Sequence, residues 1–326
     1  MKKTLVAIAA LTLVGAASAQ VTLSGGVRAA FQNSGVANAE TVVGTNDVAA
    51  NNVTITAVED LGGGMKITAL YHMRNDIMTG EISAGRPATL TNQLWRNSSV
   101  AVDASWGQVR AGRWGLAGLY AFDAFGATGT VNPYAGNSAG YTGQRYTNMV
   151  QYTTPKISGL SSQVGVSMDG AAANEDAAWI YIDYAAGPLA LRVASERSAA
   201  LTTTSYAAMG FLPAVTGKTA EATQTSGVAV GASYDFGVAK LMGAYNSSKA
   251  TATSVILGEQ YSIAATAPFG AAMGKAGYMK NQTTGVDSMG VGVDYNLSKT
   301  ALLFADIMKQ SDLANATWQL GVHKKF

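Results

Sequence analysis

The clearest candidate for catalytic chemistry is Ser138, in the pentapeptide Gly136-Asn137-Ser138-Ala139-Gly140. This G-x-S-x-G spacing is typical of the nucleophile elbow of lipases and esterases, which needs a strand before the serine and a helix after it. Here the pentapeptide lies in a stretch rich in Gly and Asn, with neither pattern beside it. His72 and His323 are the only histidines available as a base. We therefore predict that the chain is not an enzyme.

No group of residues has the spacing of a metal or cofactor site. Glu59 and Asp60 precede three glycines, which is more typical of a polar turn, and the chain has no cysteine. Residues 1–19 contain two of the 22 basic residues and no acidic one, which leaves 20 basic against 20 acidic residues in 20–326. We predict no metal, no cofactor and no nucleic-acid partner, because that balance gives no field for a polyanion.

The first 19 residues have the three parts of a secretory signal. Lys2 and Lys3 precede an apolar run from Leu5 to Val14, and Ala17-Ser18-Ala19 supplies small residues before a cleavage site. We predict a cleaved signal peptide, 1–19, and a mature domain, 20–326. The mature part contains no run of about 18 apolar residues, so strands would have to cross any membrane.

The mature sequence divides into sixteen short amphipathic segments. Tight turns rich in Gly, Pro and Ser alternate with longer polar stretches, and only 13% of the residues are charged. This layout predicts an all-β fold, a 16-stranded antiparallel transmembrane β-barrel with short periplasmic turns and long extracellular loops. The segments are 21–34, 51–61, 64–75, 94–105, 107–114, 145–154, 159–168, 176–186, 188–198, 226–236, 238–248, 258–268, 271–281, 287–297, 299–310 and 315–326.

The last segment shows the alternation most clearly. From Ala316 to Phe326 the even positions are mainly apolar and the odd positions are polar or small, with a period of two. Such a strand separates two environments, and in lipid its backbone must be paired to the end. We expect Phe326 to complete the apolar face and to be required for barrel closure and assembly.

Several stretches resemble the general porins of beta-proteobacteria, which are part of the trimeric porins of Gram-negative bacteria. The resemblance implies a homotrimer in the cell outer membrane, in contact with membrane lipid and lipopolysaccharide. It implies passive diffusion of ions and small hydrophilic solutes, and a third loop, 115–144, that folds into the lumen. The matching stretches are EDLGGGMK (59–66), WGQVRAGRW (106–114), YTTPKISGL (152–160), YAAGPLAL (184–191), GASYDFGVAKL (231–241), DYNLSKT (294–300) and QLGVHKKF (319–326).

The third loop is thirty residues long and contains one charge, Asp123. A connection of this length is usually functional or disordered. Its aromatic residues Tyr120, Phe122 and Phe125 could anchor it against the wall. We predict that these four residues form the constriction.

Strand parity selects the basic side chains that could face the lumen. Arg96 and Arg113 match basic positions of the family pattern, but parity points them outward. We predict a water-filled channel with mild anion selectivity. A substrate-specific channel, or a barrel that serves as an adhesin or a structural protein, is the alternative. The pore-wall candidates are Arg28, Lys66, Arg74, Arg110 and Arg145.

Overall fold

A computed structural model describes residues 20–44, 51–80, 95–115, 122, 145–168, 177–197, 225–251 and 253–326. The regular elements in these ranges are β-strands. The described residues form no helix that is long and apolar enough to cross a membrane.

Seventeen strands are described, each antiparallel to its partners. Sixteen form the barrel wall, and β2 is a short additional strand. The strands are β1 (Gln20–Asn33), β2 (Val42–Gly44), β3 (Asn52–Gly62), β4 (Met65–Arg74), β5 (Asn97–Ala104), β6 (Gly107–Gly115), β7 (Arg145–Thr153), β8 (Leu160–Ser167), β9 (Ala177–Ala186), β10 (Leu189–Arg197), β11 (Thr225–Asp235), β12 (Lys240–Ala250), β13 (Ile256–Phe269), β14 (Ala272–Asn281), β15 (Asp287–Asn296), β16 (Ala301–Gln310) and β17 (Thr317–Lys325).

The wall is a closed meander. From β3 to β17 each strand pairs with the next one along the chain, and β1 joins the two ends by pairing with β3 and β17. The prediction of a 16-stranded antiparallel barrel is therefore confirmed, and the sixteen predicted segments correspond to the sixteen wall strands. The short strand β2 was not predicted.

Tight turns lie at one end of the barrel, here called the turn end. Gly187, Gly237 and Gly270 adopt positive φ angles of 54°, 83° and 60° there. Residues with a Cβ atom rarely adopt this conformation, so glycine at these positions allows two neighbouring strands to join with a minimal connection.

The opposite end, here called the loop end, differs between the two halves of the barrel. Connections in the first half are long, as the sequence predicted. In the second half, the loops 251–255, 282–286 and 311–316 contain only five or six residues each. The loops that join β12 to β13, β14 to β15 and β16 to β17 are therefore short.

The strand β1 changes partner along its length. Along one edge residues 26–33 pair with β17, and along the other edge residues 20–26 pair with β3 and residues 30–32 pair with β2. At the change, the side chain of Asn51 takes the place of a strand. Its Oδ1 accepts the Arg28 N–H at 2.7 Å, and its Nδ2 donates to the Arg28 carbonyl at 3.1 Å. Asn51 is fully buried, so its amide completes the hydrogen bonding of β1 where no backbone lies opposite.

The chain terminus is paired to its last residue. The Phe326 N–H donates to the Gly25 carbonyl and the Gly25 N–H donates to the Phe326 carbonyl, both at 3.1 Å. The Phe326 side chain is exposed on the outer face, as are Leu320 and Val322. These contacts agree with a closing role for Phe326, which stays a prediction.

We expect Asn51→Ala to destabilise the folded barrel by about 1–3 kcal/mol, because it removes a buried amide and leaves the N–H and the carbonyl of Arg28 without this partner. The measurement is the midpoint of urea unfolding in detergent. The control is Asn296→Ala, which removes one exposed hydrogen bond to the Ala271 carbonyl and should cost less than about 0.5 kcal/mol. Equal midpoints for the two variants would contradict the role of Asn51.

Candidate functional site

The two faces of the wall have different chemistry. Outward positions are apolar and exposed, for example Val291 and Ile263, with 56% and 59% of their surface accessible. Inward positions include many buried polar residues, such as Gln32, Gln260 and Gln319. Because side chains alternate along each strand, the closed sheet brings all inward residues together around the barrel axis. The candidate site is this inner wall.

One group of inward charges forms a compact network on β1 and β14–β16. Lys275 Nζ lies 2.8 Å from Asp294 Oδ1 and 2.8 Å from Asp306 Oδ1. Arg28 Nη2 lies 3.9 Å from Asp306 Oδ2, and Gln319 donates to the same oxygen at 2.5 Å. Two cations and two carboxylates therefore cancel one another within this network.

The Arg28 guanidinium also lies 3.6 Å from the centroid of the buried Phe304 ring. A guanidinium over an aromatic face is held by the ring quadrupole. Arg28 is thus fixed on the inner wall at its predicted position, and Asp306 offsets its charge.

A second inward pair lies on β9 and β10. Arg192 donates from Nε to Asp183 Oδ1 at 2.5 Å and from Nη2 to Asp183 Oδ2 at 3.1 Å. This bidentate contact between the Arg192 guanidinium and the Asp183 carboxylate is a strong ion pair with a fixed orientation. Arg192 therefore contributes little net charge to its part of the lumen.

Arg110 has a different environment. Its Nη1 donates to Ser99 Oγ at 2.8 Å, its Nη2 donates to Gln108 Oε1 at 3.2 Å, and its guanidinium lies 3.9 Å from the centroid of the Trp114 ring. All three are neutral groups. The nearby carboxylate Asp103 accepts a hydrogen bond from Gln108 instead. Arg110 is therefore held in place by neutral groups, and Asp103 acts on its charge without forming an ion pair in the described residues.

Further basic residues lie on the same part of the wall. Arg74 ends β4, Arg96 directly precedes β5 and donates its backbone N–H to the His72 carbonyl, and Arg113 lies on β6. The Nε atoms of all three are buried. Strand parity had pointed Arg96 and Arg113 outward, but a strand end adjoins the first and a register shift between Gly112 and Trp114 adjoins the second. Strand parity therefore does not predict the direction of the Arg96 or Arg113 side chain.

The remaining predicted residues divide into two groups. Lys66 is exposed near the turn end, on β4 opposite Asp103, and the backbone of Arg145 pairs with Gly115 at the start of β7. Phe122 is described and is 4% accessible. Tyr120, Asp123 and Phe125 lie outside the described residues, and so does the pentapeptide around Ser138. Their predicted roles stay predictions.

The inner wall holds Phe122 in a buried aromatic cluster that the sequence did not reveal. Phe122 belongs to the same cluster as Tyr146, Trp179 and Tyr181, and the Tyr146 and Trp179 rings stack with centroids 5.2 Å apart. Tyr146 also donates its hydroxyl to Glu196 Oε1. The cluster joins residues of β7, β9 and β10 and gives the third loop a fixed contact on the wall.

Two inward glycines make room for this cluster. A Cβ atom on Gly165 would overlap the Trp179 indole, and a Cβ atom on Gly231 would overlap the Phe122 ring. Both rings therefore lie directly against the backbone of a wall strand. The sequence signal was a glycine at an inward strand position, which often marks close approach by another group.

No group of three or more His, Asp or Glu residues in the described part of the chain is arranged to hold a metal ion. The inner wall of the described strands presents charged and aromatic side chains to the lumen.

Comparisons with known proteins give matches over nearly the whole chain. A family model described as Gram-negative porin matches residues 4–314. The chain is 30% identical to outer membrane porin protein 32 of Delftia acidovorans over 335 residues, which cover 94% of this chain and 89% of that protein.

Solved structures show the same fold. The anion-selective porin from Comamonas acidovorans matches with a TM-score of 0.72 and 22% identity, over 95% of this chain and 100% of that chain. OmpT of Vibrio cholerae, folded in vitro and in its trimer form, matches with a TM-score of 0.68 and 14% identity, over 94% and 99% of the two chains.

We expect Gly231→Ala to expel the Phe122 ring from its position, because the added methyl group would overlap it. Single-channel recording should show a changed conductance and a noisier open state. Gly243→Ala is the matched control, since a Cβ atom there meets only the Ser262 carbonyl oxygen at 3.5 Å, an ordinary contact. In a Phe122→Ala background, Gly231→Ala should have little further effect. An equal effect in both backgrounds would show that Gly231 does not act through Phe122.

Proposed function

The chain belongs to the Gram-negative porins, a family of outer-membrane channels, and on that basis we propose a general diffusion pore for small hydrophilic solutes and ions with a mild preference for anions. The same proposal includes a signal peptide, 1–19, that is removed before the barrel of 20–326 assembles. It assigns no catalytic role to any residue.

The observation that carries the anion preference is the unequal distribution of charge around the inner wall. Arg28, Lys275 and Arg192 have carboxylates within 4 Å, so their fields largely cancel at a distance. The hydrogen-bond partners of Arg110 are neutral, and Asp103 acts on it from beyond ion-pair distance in the described residues, so its charge is offset less completely. Inside a narrow channel with low-dielectric walls, one such charge attracts anions more strongly than it would in bulk water. A structure with the same fold is described as an anion-selective porin, which supports this assignment.

In this proposal the third loop narrows the pore opposite the basic side of the wall. Phe122 anchors the loop in the aromatic cluster, and we keep the assignment of Tyr120 and Phe125 to the constriction as part of the proposal. Asp123 contributes the single negative charge of the loop. We assign Arg74, Arg145 and Lys66 to the same basic part of the wall as Arg110, and Arg28 lies on β1, which pairs with β3.

We expect Arg110→Ala to lower the anion-to-cation permeability ratio about two- to fivefold at low salt, since a unit charge acts with roughly 0.5–1 kcal/mol over 4–8 Å in water. Asp123→Ala should raise the ratio. The reversal potential in a planar bilayer under a salt gradient measures both changes, and both should shrink in molar salt.

Lys309→Gln is the control for this experiment, because it removes one positive charge from the outer face of β16. A wild-type channel that prefers cations would contradict the proposed selectivity. An equal shift for Arg110→Ala and Lys309→Gln would show that Arg110 does not set it.

We also propose a homotrimer whose contact face includes the outer side of β1 and β17. Val21, Leu23 and Val27 on β1 are 41–66% accessible in the single chain, and Leu320 and Val322 are exposed on β17. Small and aliphatic side chains at these positions allow another barrel to approach closely. The remaining outer face is proposed to contact outer-membrane lipid, including lipopolysaccharide.

Native mass spectrometry should show a trimer that dissociates on heating. Leu23→Trp should lower its dissociation temperature, because the larger ring does not fit between barrels. Val291→Trp, on the face assigned to lipid, should leave that temperature unchanged. A monomeric wild type, or equal effects of the two variants, would contradict this contact face.

A further inference from the structure

A belt of phenolic and charged side chains crosses the outer face near the loop end of β12–β16. Register places Tyr245, Tyr261, Lys280 and Asp287 opposite one another on four successive strands. Tyr278 lies opposite Met289, which lies opposite Lys309 on β16. The phenol–lysine belt is defined as Tyr245, Glu259, Tyr261, Tyr278, Lys280, Asp287 and Lys309.

Hydrogen bonds within the phenol–lysine belt hold its polar groups in fixed positions. Tyr245 donates its hydroxyl to Glu259 Oε1 at 2.8 Å, and Tyr278 donates to Asp287 Oδ1 at 2.7 Å. Lys280 Nζ lies 3.1 Å from Asp287 Oδ1. The carboxylates keep free lone pairs, because each oxygen can accept more than one hydrogen bond.

Both lysines of the phenol–lysine belt retain capacity for a ligand. Lys309 Nζ donates to the Leu313 carbonyl at 2.5 Å and to the Ala314 carbonyl at 3.0 Å. An ammonium group has three protons, so one remains. Carbonyl groups do not neutralise the charge, and no carboxylate in the described ranges forms an ion pair with Lys309. The described bonds of Lys280 go to Asp287 alone.

The surroundings of the phenol–lysine belt match the boundary between acyl chains and headgroups. Ile263, Met289, Val291 and Ile307 lie on the same outer face and are 47–62% accessible. Tyrosines are enriched at this level of a membrane because the ring is apolar and the hydroxyl is polar. The loops 282–286 and 311–316 are short, so a bulky headgroup can approach the phenol–lysine belt.

We propose that the phenol–lysine belt binds the phosphorylated sugar headgroup of a glycolipid of the outer leaflet, the lipid A part of lipopolysaccharide. Lys280 and Lys309 donate to phosphate oxygens, as ammonium groups do in lipid headgroup sites. Glu259 and Asp287 would repel a phosphate alone, but they accept hydrogen bonds from the hydroxyl groups of a sugar. A phosphorylated sugar satisfies both kinds of group. This inference rests on the proposed contact with lipopolysaccharide and places that contact at a defined site.

The test is native mass spectrometry of the detergent-solubilised protein titrated with diphosphorylated lipid A. The variant is Lys280→Gln with Lys309→Gln. The control is Lys156→Gln with Lys299→Gln, which removes two exposed lysines from the turn end. We expect the dissociation constant to rise by about tenfold or more in the variant, from roughly a five-fold contribution per lysine near a charged surface. The control should bind as the wild type does.

Three further ligands identify what the phenol–lysine belt recognises. Lipid A without phosphates should bind weakly to the wild type and equally weakly to the variant. Phosphatidylglycerol should bind with no loss in the variant, and inorganic phosphate at millimolar concentration should not compete. Equal loss of phosphatidylglycerol binding, effective competition by phosphate, or unchanged lipid A binding in the variant would each overturn the proposal.

Single-channel conductance and reversal potential are recorded on the same variants. Both should equal those of the wild type, because the two lysines lie on the outer face. Loss of lipid A binding with normal conductance supports the inference. Normal lipid A binding by the variant overturns the site and leaves the channel proposal intact, so the two failures are distinguishable.

Discussion

The constraint on which this structure depends is that a strand in hydrocarbon must have backbone partners on both edges. Fourteen strand pairings satisfy this constraint between neighbours in the chain. At the seam, where the two ends of the meander join, β1 satisfies it by pairing with β3 and β17. The Phe326 backbone pairs with Gly25 at the turn end of the seam. Where β1 changes partner, the Asn51 amide supplies both the donor and the acceptor that a strand would offer. The seam is therefore closed by side-chain as well as backbone chemistry.

Closure separates two environments, and each places a different demand on the residues it contains. In the described residues the outer face is mainly apolar, and phenolic and charged side chains gather near the loop end of β12–β16. The inner face carries charges, which mostly occur as cancelling pairs and networks around Asp306 and Asp183. Arg110 departs from this pattern, since its hydrogen-bond partners are neutral and Asp103 acts on it without an ion pair in the described residues. The selectivity of such a channel depends on which charges remain uncancelled, because residues 20–326 contain 20 basic and 20 acidic residues.

Small inward residues are as important as charged ones. Gly165 and Gly231 allow the Trp179 and Phe122 rings to lie against the wall backbone. Tyr146 links this aromatic cluster to Glu196 on β10. The third loop therefore has a contact that depends on the absence of side chains at defined positions. Phe122 is therefore held against the wall by shape rather than by charge.

The sequence by itself determined the number of strands, the end at which the tight turns lie and the face on which most residues stand. These features are local, because a few neighbouring residues are enough to show a period of two or a glycine or proline in a turn. Arg28, Arg110 and the apolar side chains of β17 could be placed in this way. Only the tertiary structure decided which charges meet. Arg28 with Asp306 and Tyr146 with Glu196 are pairs brought together by register between distant strands, and no local pattern encodes register around a closed barrel. The sequence also did not predict the strand β2, the bridging role of Asn51 or the positions of Arg96 and Arg113. Strand ends and bulges occur at these places, and they interrupt the alternation on which sequence reasoning relies.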